Sequence, residues 1–125
     1  TKEGTLVIMR SNQSLANLDI EFAENREDIT QGLMYRASMA EDQGMLFLMP
    51  TTEIQSFWML NTYIPLDIIF IGDDHKIINA AQNTPPKSIN SVSSTAPARY
   101  VLEVNAGSFQ KWGLQAGDSV LWKRL

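Results

Sequence analysis

Three carboxylates fall within or beside apolar, strand-prone stretches of this chain. Asp67 lies in Leu66-Asp-Ile-Ile-Phe-Ile71, Glu103 in Arg99-Tyr-Val-Leu-Glu103, and Asp118 follows Gly117. An ionised carboxylate in apolar surroundings costs several kcal/mol unless it is hydrogen-bonded or paired. Two carboxylates flanking one bond suit glycoside chemistry, at separations of roughly 5–9.5 Å, which makes Asp67 with Glu103 the candidate pair for a hydrolase. The structural alternative is that Asp67 accepts backbone N–H bonds from the Asn61-Thr62 corner, while Glu103 pairs with Arg99 on the same strand face. Structural ion pairs perturb carboxylates as readily as catalysis does, and this alternative is preferred. At Asp118 a turn at Gly117 and a bond to its own backbone suffice.

Other polar side chains are harder to explain by structure alone. Arg36 follows a helical stretch, where it suits the last carbonyls or reaches Asp67 or a ligand anion. Asn61 and Thr62 form a polar corner between the apolar runs Ser56–Leu60 and Leu66–Ile71. Ligand sites are concave and mostly apolar, with a few placed polar groups. Arg36, Trp58, Asn61, Thr62, Asp67, Arg99 and Glu103 are therefore the candidate ligand-binding residues. Phe57, Trp58 and Met59 are expected to form the wall, with the Ser- and Pro-rich stretch 84–98 as a mobile cover. Trp58, Trp112 and Trp122 suit a stacking platform, although packing is expected for at least two of them.

No residue is assigned a catalytic or metal-binding role. The single histidine, His75, falls in the polar turn Gly72-Asp-Asp-His-Lys76 and is expected to be solvated. Six methionines, Met34, Met45, Met49 and Met59 among them, invite a Cu(I) reading through their thioethers. Their place inside apolar strands fits core filling better. Phosphate-loop, dinucleotide and zinc-ligand patterns are missing, and no cofactor is expected.

Composition narrows the classes further. A chain of 125 residues is one domain, spanning 1–125, large enough to bury a core without disulfides, and it has no cysteine. A net charge of −4 argues against a nucleic-acid partner, which needs clustered Lys and Arg. No apolar run approaches the ~20 residues that cross a bilayer. The opening Thr-Lys-Glu-Gly, without Met, raises the expectation of a processed leader.

The elements that would position these groups are short. Thr5–Met9 and the alternating Leu18-Asp-Ile-Glu-Phe22 suggest strands. Asn25 is a good N-cap for a helix running to about Arg36, with Gly32 inside it where another backbone comes close. Gly44–Met49, stopped by Pro50, Ile54–Leu60, Leu66–Ile71, Ile77–Ala81, Arg99–Asn105 and Ser119–Lys123 complete the strands, and Ala106–Gly113 is expected to be a short helix or turn. The expected fold is mainly β: a single-domain antiparallel β-sandwich or small barrel, with one helix in the N-terminal half and a short second one.

Gln31-Gly-Leu-Met-Tyr-Arg36, Gly44-Met-Leu-Phe47, Phe57-Trp-Met59, Asn61-Thr62, Ile64-Pro-Leu-Asp67 with Phe70, Arg99-Tyr-Val-Leu-Glu103 and Gly117-Asp118 occur in that order. The chain thereby resembles domain-of-unknown-function family 192 from about residue 3 to its end. The resemblance implies a compact β-rich fold, often behind a secretion or lipoprotein leader, and brings no established activity. The expectation is an extracytoplasmic, non-catalytic module that binds a small molecule or protein partner. A carboxylate-dependent hydrolase using Asp67 and Glu103 is the alternative.

Overall fold

The computed structural model describes residues 1–125. The strands are β1 (Gly4–Arg10), β2 (Gln13–Ala23), β3 (Gln43–Glu53), β4 (Ser56–Phe57), β5 (Leu66–Ile71), β6 (Ile77–Thr84), β7 (Val92–Ser93), β8 (Ala98–Asn105) and β9 (Ser119–Arg124). Helix α1 (Arg26–Gln31) follows β2, and α2 (Ser108–Lys111) precedes β9. Seven strands form one sheet in the order β6-β5-β8-β3-β2-β1-β9, and β4 pairs with β7 in a separate small sheet.

The fold is mainly β, as the alternating and apolar runs require. The large sheet is mixed, because β2 and β3 run parallel while every other pair is antiparallel. A parallel pair needs a crossover, which α1 supplies. The sheet does not close into a barrel. Its outer edges meet at one corner, where Lys76 bridges Ser119 and the Val120 N–H donates to the His75 carbonyl at 2.7 Å. There the His75 ring stacks on Trp122, with centroids 4.3 Å apart and planes within 4°. This corrects the expectation of a solvated His75: closure of the corner draws the ring onto the indole.

Several boundaries differ from expectation for local reasons. Asn25 caps α1 through its side chain, which accepts from the Asp28 N–H at 2.8 Å. The helix ends at Gln31 rather than near Arg36, because Gly32 takes φ 49° and leaves the helical region. β3 runs through Pro50 instead of stopping there. Its pairing with β8 shifts between Leu48 and Glu53, a place that tolerates a residue without an N–H. The stretch 54–60 contributes only Ser56–Phe57 as strand. The segment 84–98 contains β7 and is pinned by its neighbours: the Met59 N–H donates to the Ser88 carbonyl, and the Ser94 N–H to that of Gln55, both at 2.9 Å.

Two apolar clusters fill the two faces. All seven strands of the large sheet feed the first, with Ile8, Ile20, Leu46, Ile69, Ile77, Leu102 and Val120 among its members. The second draws on Met45, Phe47, Ile68, Phe70 and Val101, together with Leu33, Met59 and Ile64 from loops. β5 separates the clusters and is buried over its whole length, as a continuous apolar strand covered on both faces must be.

Asp67 is the one charged residue of β5, and it has no exposed surface. One carboxylate oxygen accepts the Asn83 N–H at 2.8 Å, and the other accepts from Gly107 at 3.1 Å and Phe109 at 2.9 Å. The donors lie at the end of β6 and the start of α2, not at the Asn61-Thr62 corner. Asp67 thus ties both segments to the central strand and serves the first amides of α2, which have no partner within the helix. Asp67→Ala, which leaves three N–H groups without their acceptor, is expected to cost on the order of 3 kcal/mol in chemical denaturation. Unchanged stability would show that the three bonds are replaceable.

Candidate functional site

β8 runs between β5 and β3, with Glu103 opposite Ile68 on one side and Met45 on the other. Alternation along β8 turns Arg99, Val101 and Glu103 to the face of the second cluster, and Tyr100, Leu102 and Val104 to the first. Glu103 is 5% exposed, and nothing in the protein hydrogen-bonds or pairs with its carboxyl. Arg99, the expected partner, instead donates its Nε–H to the Met49 carbonyl at 2.7 Å. No side-chain oxygen or nitrogen sealed from solvent lacks a partner. The Glu103 oxygens are therefore not sealed in, and they face a cavity of about 240 Å³.

Three segments wall this cavity. Ile29, Thr30 and Gln31 of α1, with Leu33 and Met34 beyond its end, form one side. Phe47 and Met49 of β3 lie beside Glu103, and Ser56 and Phe57 of β4, Trp58 and Thr62 complete the lining. The Phe57 ring meets Phe47 edge to face, with centroids 5.0 Å apart and planes at 89°. Gly32 lets the chain leave α1 close to the carboxyl. A Cβ there would stand 3.1 Å from the Phe47 ring and 3.7 Å from Glu103 Oε1.

Of the seven residues singled out in the sequence, Trp58, Thr62 and Glu103 line the cavity. Thr62 is buried, its hydroxyl donating to the Leu60 carbonyl at 3.2 Å, and Trp58 is 49% exposed. Asn61 is just outside, with φ 54°, its amide donating to the Tyr35 hydroxyl at 2.9 Å. Arg36 turns away into a two-pronged pair with Glu21, at 2.5 and 3.1 Å. Asp67 faces the opposite side of the sheet, since it sits in register with Val104 whereas Glu103 is opposite Ile68. Adjacent strands thus send the two carboxyls to opposite faces, and one bond cannot lie between them. No residue of 84–98 lines the cavity. That segment supports β4 from behind, where Ser56 and Phe57 pair with Ser93 and Val92.

Met34 and Met49 face the cavity, whereas Met45 and Met59 are buried in the second cluster. No three His, Cys, Asp or Glu side chains converge as a metal site would require. Trp112 and Trp122 pack against the first cluster. Phe57 and Trp58 form part of the wall as expected and Met59 does not, whereas Phe47, Ser56 and the α1 residues beside Glu103 were not singled out in the sequence. The available signal was Gly32, a glycine placed where a helix would not choose one.

The charged groups differ in how they are satisfied. Burial pushes the Glu103 carboxyl up to about 8, and no charged neighbour offsets it. Hydrogen bonding from Arg36 holds Glu21 below the usual carboxylate range. Burial pulls Asp118 upward, but the Arg10 guanidinium and the Gln115 N–H outweigh it and keep the group low. Asp118 therefore has an ion-pair partner, at 2.8 and 2.9 Å, in addition to the expected backbone bond. A larger depression of about 420 Å³ lies along β9, β1 and β2. Its ionic residues are poorer site candidates: Asp42 and Lys123 are exposed, and Asp19 already pairs with Lys2 at 3.1 Å. Size favours that groove, but chemistry favours Glu103.

Known proteins share this architecture. The family model described as "Uncharacterized ACR", domain-of-unknown-function family 192, matches residues 7–122. A crystal structure of a protein of unknown function from Novosphingobium aromaticivorans superposes with a TM-score of 0.90 at 33% identity, covering 94% of this chain and 84% of that one. A Sinorhizobium meliloti protein described as a "putative transcription regulator" does so with a TM-score of 0.90 at 39% identity, covering 98% and 94%. No curated protein matches the chain.

The raised Glu103 titration makes stability depend on pH. The folded chain holds this proton up to about pH 8, whereas an ordinary glutamate releases it near 4.5. Stability from this source is complete below about pH 4.5, is lost as the pH rises through 8, and levels off beyond. The full loss is on the order of 5 kcal/mol at ~1.4 kcal/mol per tenfold change in proton affinity. Glu21 and Asp118 act in the opposite sense, and only as the pH falls below the carboxylate range. Wild-type melting temperature is therefore expected to fall between pH 5 and pH 9, and Glu103→Gln should remove most of that fall. Equal slopes in the two proteins would refute burial as the cause.

Proposed function

We propose that this chain, which belongs to the uncharacterised family DUF192 and inherits no activity from it, is a non-catalytic module that binds a small molecule in the Glu103 cavity. One observation carries the reading: a buried carboxyl without any protein partner stands at the floor of an apolar, aromatic cavity. Leaving a buried polar group unpaired costs free energy, and a ligand atom in the cavity removes that cost. Thr30, Gln31, Ser56 and Thr62 supply further polar groups around an otherwise apolar lining, the usual make-up of a ligand site.

The hydrolase alternative has less support. Asp67 is saturated by three backbone donors and faces away from Glu103, and the cavity contains no histidine or lysine to act as a base. The Sinorhizobium description points towards nucleic acid. A net charge of −4 argues against that partner here. An extracytoplasmic location belongs to the same proposal, and fractionation of cells expressing the complete gene checks it.

Nuclear magnetic resonance with small uncharged aromatic and aliphatic fragments tests the site. Binding is expected to shift the Trp58 indole N–H while leaving Trp112 and Trp122 in place. Met34→Trp, which fills the cavity, should abolish the shifts at nearly unchanged melting temperature. Shifts centred on Val7 and Leu121 would move the site to the groove on β1 and β9, and the reading would fail.

A further inference from the structure

The surroundings of Glu103 also bear on what kind of ligand the cavity suits. Glu103 is the only ionisable residue among the cavity's lining. No lysine, arginine or histidine reaches it from α1, β3, β4 or the Asn61 corner. The guanidinium groups of Arg36 and Arg99 are already engaged, Arg36 by Glu21 and Arg99 by the Met49 carbonyl. The rings of Phe47, Phe57 and Trp58 share the lining with the thioethers of Met34 and Met49. Aromatic faces attract cations, and methionine sulfur is polarizable. Helix α1 ends at the same wall, and the C-terminal end of a helix carries partial negative charge.

We propose that the cavity takes a small organic cation, an ammonium or quaternary ammonium group on a compact apolar body, with its positive head against the Glu103 carboxylate and the aromatic rings. This proposal rests on the reading of the cavity as a ligand site. The protein itself provides no countercharge for Glu103, so a cationic ligand is the group that completes it. A neutral ligand leaves the carboxyl protonated and gains one hydrogen bond. A cation gains a desolvated ion pair and the ring faces.

Binding is then linked to a proton. At neutral pH the free site carries Glu103 as the acid, since burial raises its titration to about 8. Entry of a fixed cation leaves Glu103 as the carboxylate, and its proton passes to the buffer. Charge balances, and no other titratable group faces the carboxyl from the elements around it.

Choline and its neutral carbon isostere dimethylbutanol separate the possibilities by titration calorimetry at pH 6 and pH 8. Choline is expected to bind at least about tenfold tighter at pH 8, because protonation of the site competes up to tenfold for each pH unit below the titration point. Measured at pH 7 in two buffers of different ionisation enthalpy, its binding should release a proton. Dimethylbutanol should bind more weakly, and no tighter at pH 8 than at pH 6. Glu103→Gln should lose the preference for choline and the proton release. Equal binding of the two probes to wild type, or unchanged choline binding to the Gln variant, overturns the cation assignment. So does the absence of choline binding while uncharged fragments still shift the Trp58 signal, which leaves the cavity as a ligand site. If neither the probes nor the fragments enter, the underlying reading falls as well.

Discussion

A carboxylate removed from water must be hydrogen-bonded, paired or protonated, and this protein meets that constraint twice in adjacent strands. On one face of the sheet Asp67 accepts three backbone N–H bonds. On the other, Glu103 receives none, and burial drives it towards the neutral acid. The two side chains leave β5 and β8 one register position apart, yet they serve opposite ends. Asp67 organises the fold by tying β6 and α2 to the central strand. Glu103 is left for the cavity.

Sheet topology creates that difference. Because β8 is inserted between β5 and β3, Glu103 lies in the interior of the sheet, with Ile68 on one side and Met45 on the other. The parallel crossover through α1 then lays a helix end over the same face, and Gly32 allows the chain to pass close to the carboxyl. On the other side β4, held by its pairing with β7, brings Phe57 and Trp58 into the lining. The segment between β6 and β8 contributes by supporting this wall, not by covering the opening.

The remaining strong ion pairs reinforce the isolation of Glu103. Arg36 is held by Glu21, and Arg10 by Asp118. Such part-exposed pairs add little stability individually, but the pair with Glu21 occupies the Arg36 guanidinium, which lies beyond the end of α1 near the cavity wall. The cavity is left with one acid, several aromatic and thioether groups and no base. The proposal of a binding site rests on that set.

The sequence by itself determined the class of fold and most of its elements. Period-2 alternation around Leu18–Phe22 and Arg99–Val104, continuous apolar runs such as Leu66–Ile71, and the Asn25 cap are local signals, set by the chain's own periodicity and backbone chemistry. They also showed that Asp67 must be cared for and that Trp58, Thr62 and Glu103 merited attention. Only the tertiary structure decided the partners. Arg36 and Glu21 are separated by 15 positions, and Arg10 and Asp118 by 108. The parallel pairing of β2 with β3 and the insertion of β8 leave no mark on either strand's own pattern. Those choices follow from which faces bury the most apolar surface once all the strands are assembled, and they place one glutamate in a cavity and one aspartate in the frame.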